Sequence, residues 1–221
     1  MIIVCGAGSA LAQVVIPSLA KSQDVLAISR GHRYEAENIT NVNVTGYHDI
    51  EEILKKVESA DITWVNFVGH SNNSLLFDLS ENAIKQDLEL NFYLNFRATK
   101  TLLPRMVSRG FGRFIFISSS RALKGDTGIF SYGLGKLSSL ALQEQIVKEY
   151  SRFGITANTL SLGFFQTPMW SNIDEKKRKE LLQQVPTKKL SDPNCIAPTI
   201  SLIIDHASIN NNTFRLDDGF Y

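Results

Sequence analysis

Ile2-Ile3-Val4-Cys5-Gly6-Ala7-Gly8-Ser9-Ala10-Leu11-Ala12 is the stretch that decides the fold. Four apolar residues, three of them β-branched, run into a turn of small residues, and an apolar helical pattern follows over 10–21. A buried strand entering a glycine turn and then a helix is the first half of a βαβ unit. The same alternation continues along the chain. Strands are expected at 25–29, 42–44, 62–67, 114–117, 156–160 and 213–216. Helices are expected at 50–59, twice within 81–109, and at 130–153, 174–184 and 194–206. Early in the 130–153 helix, Gly, Ser and Ala predominate, which permits close approach of a second helix or a ligand. The pattern predicts an α/β fold with a doubly wound parallel sheet in three layers. No repeat, low-complexity segment or linker divides it, so one domain over residues 1–221 is expected.

Bulk properties exclude several classes. A formal net charge of +1 argues against nucleic acid or an anionic membrane as the main partner. Hydrophobic residues make up 43% and charged residues 20%, enough for an ordinary core. Cys5 and Cys195 form no metal or redox motif, which suits a reducing compartment. The first apolar run has no basic region before it, so a buried strand is expected there and not a signal peptide. No apolar run is long enough for a bilayer, and a soluble cytoplasmic protein is expected. His32, His48, His70 and His206 lack ligand spacing, so no metal is expected. The run Glu175-Lys-Lys-Arg-Lys-Glu180 reads as a solvated helix face.

Small residues at Gly6, Gly8, Ser9 and Ala10, with Leu11 following, let backbone amides and a helix N-terminus approach a pyrophosphate, as in a Rossmann-type fold. The GxGxxG spacing fails, because Leu11 falls at the third glycine. A wider pattern fits, with Gly6 first and alanine replacing glycine at Ala10 and Ala12. The alternative is a plain strand-to-helix turn with no ligand. Strand two ends Ile28-Ser29-Arg30, where an acidic residue would accept from a free ribose 2′-hydroxyl. Ser29 and Arg30 stand there instead, and an Arg fork binds phosphate. This favours NADP(H) over NAD(H). The alternative for Arg30 is an exposed loop residue.

Tyr132-Gly-Leu-Gly-Lys136 sets a phenol and an ammonium four residues apart, on one face of a helix. A cation at that distance would lower the phenol pKa, and a tuned Tyr exchanges a proton with a carbonyl or alcohol oxygen. The spacing alone is common on helices. Here it follows a glycine turn and Ser118-Ser119-Ser120.

In the order of these features the chain resembles the short-chain dehydrogenase/reductase family, in its compact branch. Cys5–Ala12 is similar to the family's TGxxxGxG turn, and Asn43-Val44-Thr45 to its Asp-Val-Thr. Phe67-Val68-Gly69 stands where the family has Asn-Ala-Gly. Asn91 matches the helix Asn, Ser118-Ser119 the serine pair, and Ser161–Thr167 the Pro-Gly…Thr loop, with Leu162 in place of Pro. Val185–Leu190 and Leu216-Asp217-Asp218-Gly219 resemble the 3-oxoacyl-carrier-protein reductase-like members. The span from Arg30 to Asn43 is too short for the helix that members place between strands two and three, which predicts a more open adenosine side.

The resemblance implies a carbonyl reductase, or the reverse alcohol oxidation, in which a nicotinamide supplies hydride. Ser119 would bind the carbonyl oxygen and Tyr132 protonate it. Lys136 would depress the Tyr132 pKa and hold the ribose, and Asn91 would complete a relay to Lys136 through water. Gly163, Phe165 and Thr167 would orient the carboxamide, and Asn43, Val44, Phe67, Val68 and Gly69 would flank the adenosine half. Taken singly, Ser119 reads equally as a strand cap, Asn91 as a helix residue bonding backbone, and Lys136 as a solvated lysine. A second reading is a catalytically weak homologue that binds cofactor or partners, motivated by the altered turn and by Phe67-Val68-Gly69. A sugar epimerase or dehydratase also uses a Tyr/Lys pair, but the turn spacing fits it poorly. The substrate pocket would draw on Arg121, Phe130, Phe164, Met169 and Trp170, an apolar wall with one cation. That suits a keto group on an apolar, ring-shaped or acyl body, with an anion near Arg121 as an option. Residues 167–184 read as a mobile lid. The resemblance also implies a homodimer or homotetramer formed through the helices around 91–109 and 130–153.

Overall fold

Every residue of β1 (Ile2–Cys5) is buried, because the strand lies between two others with helices over both faces. The computed structural model describes residues 1–59 and 61–220. After β1 comes α1 (Ala10–Leu19), capped by Ser9, whose hydroxyl accepts from the Ala12 N–H at 3.2 Å. Next are β2 (Val25–Ser29), β3 (Ile39–Asn43), α2 (Ile50–Lys55) and β4 (Thr63–Asn66). A π-helical turn over Glu89–Tyr93 joins α3 (Glu81–Leu88) to α4 (Leu94–Arg109). β5 (Gly112–Ser119) runs straight into α5 (Ser120–Lys124) and is followed by α6 (Phe130–Tyr150) and β6 (Ile155–Leu162). Then come α7 (Pro168–Ser171), α8 (Glu175–Gln183), α9 (Ile196–Asp205) and β7 (Thr213–Leu216).

The described strands form one parallel sheet in the order β3-β2-β1-β4-β5-β6-β7. This is the α/β, doubly wound arrangement expected. Alternation along β1 sends Ile2 and Val4 to a core with α1 and α9, and Ile3 and Cys5 to a core with α2, α4 and α6. Burial of each of these side chains contributes about 1.5–3 kcal/mol. The strand order reverses between β1 and β4. There the connections leave in opposite directions and open a crevice at the carboxyl ends of the strands, the usual ligand position in such sheets.

The third strand begins three residues earlier than expected. Only Ile39 is buried in it, so its apolar signal is weak, and its bounds come from pairing with β2 in the register Val25↔Ile39 to Ser29↔Asn43. The helix expected over 50–59 stops at Lys55. α5 and α7 were not anticipated, being too short to show a period. No helix lies between β2 and β3, as the short spacing implied. Tyr34 spans the gap: its hydroxyl donates to the Ala7 carbonyl at 2.6 Å, and Asn41 holds its backbone by two hydrogen bonds. Within residues 167–184, α8 matches the helix expected at 174–184. These residues carry α7 and α8, and Trp170 and Leu181 pack with Phe164, Val185 and Phe220 in a small core of their own. The 175–180 charge run lies on α8, with Lys179 pairing Glu175 at 2.7 Å on its exposed face. Among the described residues no helix is long and apolar enough to cross a membrane.

Gly6 closes the turn after β1 at φ +75°, a conformation that L side chains rarely adopt. A Cβ there would also lie 2.6 Å from the Val68 nitrogen. Gly6→Ala is expected to cost about 2 kcal/mol, since it combines a positive φ with a backbone clash. Chemical denaturation measures this, and an unchanged midpoint would contradict it.

Candidate active site

The C-terminal end of β5 and the first turns of α6 build the centre of the site. Ser118 donates to the Lys136 carbonyl at 3.2 Å, and Lys136 Nζ donates to the Ile117 carbonyl at 3.1 Å. These two bonds hold α6 against β5. Ser119 makes no side-chain cap at the start of α5, and its hydroxyl instead hydrogen-bonds the Tyr132 phenol. The i, i+4 spacing places Lys136 Nζ 5.9 Å from the Tyr132 ring centroid. Ser119 and Lys136 are buried and Tyr132 is half-buried.

Asn91 lies behind them on the π-helical turn, where the extra residue widens the helix. Its amide nitrogen donates to the His70 carbonyl at 2.7 Å and to the Asp87 carbonyl at 2.9 Å, and its oxygen accepts from the His70 N–H at 3.4 Å. It therefore does bond backbone, and in doing so it fixes the loop after β4. A Cβ on Gly135 would sit 2.7 Å from Asn91 Cβ, so α6 approaches this turn only because the residue is glycine. A Cβ on Gly69 would lie 3.4 Å from Lys136 Nζ and 3.6 Å from Asn91 Oδ1, which shows the three converging on one spot.

A cavity of about 500 Å³ runs over this centre from Arg30 and the α1 N-terminus to Met169. A second, of about 550 Å³, shares Gly8, Ser9, Arg30, Phe67 and Gly69 with it and adds Gly6, Val68, Tyr47 and His70. A third, of about 90 Å³, shares Ser119, Tyr132 and Gly163 and extends to Arg121, Phe164 and Trp170. Together they make one groove with Tyr132 near its middle. Ala10, Leu11, Phe165 and Thr167 also line it. The first N–H groups of α1 have no partners inside the helix and suit a pyrophosphate. Lys136 Nζ, whose one hydrogen bond among the described residues goes to a backbone carbonyl, suits a ribose hydroxyl. These residues fit a dinucleotide.

Some expected residues lie elsewhere. The Ser29 hydroxyl donates to the His32 carbonyl at 2.7 Å and accepts from the Gly31 N–H, so it shapes the loop around Arg30 and does not face the groove. Val44 is buried in the core and Asn43 is exposed on the edge strand. Gly46 and Tyr47 line the groove in their place. Phe130 is 50% exposed at the start of α6, outside the substrate end. Arg121 lines that end but is not an open cation. Its Nε and Nη2 both donate to one Asp126 oxygen, at 2.9 and 2.7 Å.

The electrostatics correct one expectation. Burial raises the Tyr132 pKa above the ordinary phenol value, the Ser119 hydroxyl and Arg121 oppose the rise, and Asp87 adds to it. Lys136 is not among the groups that move it, and burial pulls the pKa of Lys136 itself down to about 8. The pocket as it stands keeps Tyr132 protonated at neutral pH.

Sequence reading missed Asn66 and Asp87. Asn66 Oδ1 accepts from the Val68 N–H at 2.8 Å and its Nδ2 donates to Asn95 at 3.0 Å, so it braces the Phe67-Val68-Gly69 turn. It stands one residue before that turn. Asp87, one turn ahead of Asn91, is fully buried. An acid at i−4 from a functional Asn was its available signal.

Comparison with known proteins adds four findings. The family described as short chain dehydrogenase matches residues 1–178. The chain is 29% identical to the 3-oxoacyl-acyl-carrier-protein reductase FabG of Vibrio cholerae, over 81% of this chain and 76% of that one. It is 27% identical to the same reductase of Salmonella typhimurium, over 98% and 93%. A solved structure titled "ElxO with NADP Bound" superposes with a TM-score of 0.88 at 21% identity, covering 99% of this chain and 97% of that one.

Proposed function

The chain belongs to the short-chain dehydrogenase family, and on that premise we propose that it is an NADP(H)-dependent oxidoreductase interconverting a ketone and a secondary alcohol. The observation that carries this reading is the meeting of Ser119, Tyr132 and Lys136 in one groove with Asn91 directly behind. Bound NADPH would supply hydride. Gly8, Ser9 and the α1 N-terminus would hold its pyrophosphate, Arg30 the 2′-phosphate, and Lys136 the nicotinamide ribose.

The protein's own part is position and proton transfer. Ser119 Oγ donates to the carbonyl oxygen and fixes it beside Tyr132 Oη. Tyr132, protonated at neutral pH, donates its proton as negative charge develops on that oxygen. Such general acid catalysis contributes about 10²–10⁴-fold. Lys136 Nζ places positive charge behind the phenol and stabilises the phenolate that remains. Asn91 holds the Gly69–His70 backbone against Lys136. Phe164, Met169 and Trp170 form an apolar wall, and Arg121 is already neutralised by Asp126. A largely uncharged ketone on an apolar body suits this end best. Assembly as a dimer or tetramer belongs to the same proposal.

Titration with NADPH and NADH, followed by nicotinamide fluorescence, tests the cofactor. NADPH is expected to bind more tightly. Arg30→Ala is expected to weaken NADPH by about 10–100-fold, the value of a charge-assisted bond to phosphate, and to leave NADH nearly unchanged. Equal losses for both would remove Arg30 from the 2′-phosphate. A panel of ketones with NADPH tests the reaction, and tight cofactor binding without turnover would favour the non-catalytic reading.

A further inference from the structure

Asp87 is a buried acid that the mechanism above does not use. Its carboxylate accepts from His70 Nδ1 at 2.7 Å, from the Asn72 N–H at 3.1 Å and from Asn72 Nδ2 at 3.1 Å. It also accepts from Ser131 Oγ at 2.5 Å. These partners come from two elements that must stay in register for the proposed reaction. His70 and Asn72 belong to the loop after β4, which Asn91 holds against Lys136, and Ser131 immediately precedes Tyr132 on α6. One side chain with no exposed surface thus ties the groove wall to the helix turn that carries the phenol.

We infer that Asp87 is a positioning residue for Tyr132 that also sets the charge the phenol experiences, with His70 as its hydrogen-bond partner at the mouth of the groove. The inference rests on the proposed role of Tyr132. The other groups facing Tyr132 are the Ser119 hydroxyl from β5, Arg121 from α5 with its partner Asp126, and Lys136 from α6. Asp87 on α3 is the negative charge in that set not directly neutralised by an Arg or Lys. His70, its partner at 2.7 Å, is partly exposed. A negative charge opposes phenolate formation, so Asp87 favours the protonated phenol that carbonyl reduction needs.

The test follows Tyr132 ionisation by phenolate absorbance, each protein minus its Tyr132→Phe counterpart so that the other tyrosines cancel. Asp87→Asn keeps the shape, accepts from Asn72 and donates to Ser131, but carries no charge. Tyr132 is expected to ionise at lower pH in it. Ser131→Ala strips one donor from the carboxylate and leaves the charge, and is expected to move the titration the opposite way. Asp87→Ala removes clamp and charge together. It is expected to lower kcat about 10–100-fold on a ketone while KM for NADPH stays within about twofold. Coincident titrations of wild type, Asp87→Asn and Ser131→Ala would overturn the charge-setting role, and wild-type kcat in Asp87→Ala would overturn the positioning role. If Asp87→Asn does not fold, Ser131→Ala alone decides. The titration needs no turnover, so a protein that shifts as expected but reduces no ketone would sink the proposed function and keep the charge-setting role.

Discussion

Tyr132→Phe should lower kcat for ketone reduction by about 10²–10⁴-fold while leaving NADPH affinity nearly unchanged. Phenylalanine fills the space of the ring and removes only the oxygen. The ring stays half-buried, and the lost hydroxyl bonds Ser119, which itself lines the groove where water reaches it. The fold therefore loses little and the proton donor is gone. Turnover with a ketone and fluorescence titration with NADPH separate the two effects. Wild-type turnover in the variant would refute Tyr132 as the acid. Wild type should also show a pH dependence with a definite sign. Burial raises the Tyr132 pKa, so the phenol keeps its proton through neutral pH and the reduction rate stays level there. It falls first as Lys136, whose pKa is about 8, loses the charge that stabilises the phenolate, and again as pH passes the raised phenol value. Alcohol oxidation needs the phenolate and should rise over that same alkaline range.

Lys136→Met should change activity and stability in opposite directions. The ammonium is buried, and its pKa falls from the ordinary 10.5 to about 8 because water is excluded. That depression is worth about 3 kcal/mol against the folded state. Loss of the hydrogen bond to the Ile117 carbonyl returns about 1 kcal/mol, so Lys136→Met should stabilise the free protein by about 2 kcal/mol at pH 7. A protein of this size would gain about 4–8 °C in Tm. The sign with pH follows from linkage. Below about pH 8 the lysine is charged in both folded and unfolded states and the full cost applies. Between there and 10.5 only the unfolded chain keeps the proton, so wild-type stability rises and the advantage of methionine shrinks. Thermal unfolding at pH 7 and near pH 10 reads both ends. Turnover should fall by about a hundredfold or more, since the charge behind the phenol is gone. A lower Tm for the variant at pH 7 would mean that the ammonium is better solvated than its burial implies.

Which parts of the site were legible follows from how far apart the interacting groups lie. Tyr132 and Lys136 share one helix, so their spacing alone puts them on one face. Gly6, Gly8 and Ser9 lie between a strand and a helix, where small residues have few other reasons to cluster. Ser29 was misread because its hydroxyl is taken up by the backbone of the following loop, which no periodicity reports. Phe130 is the first residue of α6 and is half exposed, and Arg121 on α5 is paired with Asp126 five residues on. Asn66 and Asp87 work through partners on other elements. Asn66 reaches Asn95 and Asp87 reaches Ser131, each across a gap in sequence that only packing closes.

By itself the sequence determined the alternation of strands and helices, the glycine turn after β1 and the Tyr/Lys face of α6. Each of these is a local property, set by the period of apolar residues or by backbone sterics within one element. The tertiary structure alone decided the depth at which Tyr132 and Lys136 sit, and hence that one keeps its proton and the other binds its proton weakly. It also decided that Asp87 lies against Ser131. Burial and hydrogen-bond partnership depend on how closely separate elements approach, and that distance is settled by the whole packed sheet.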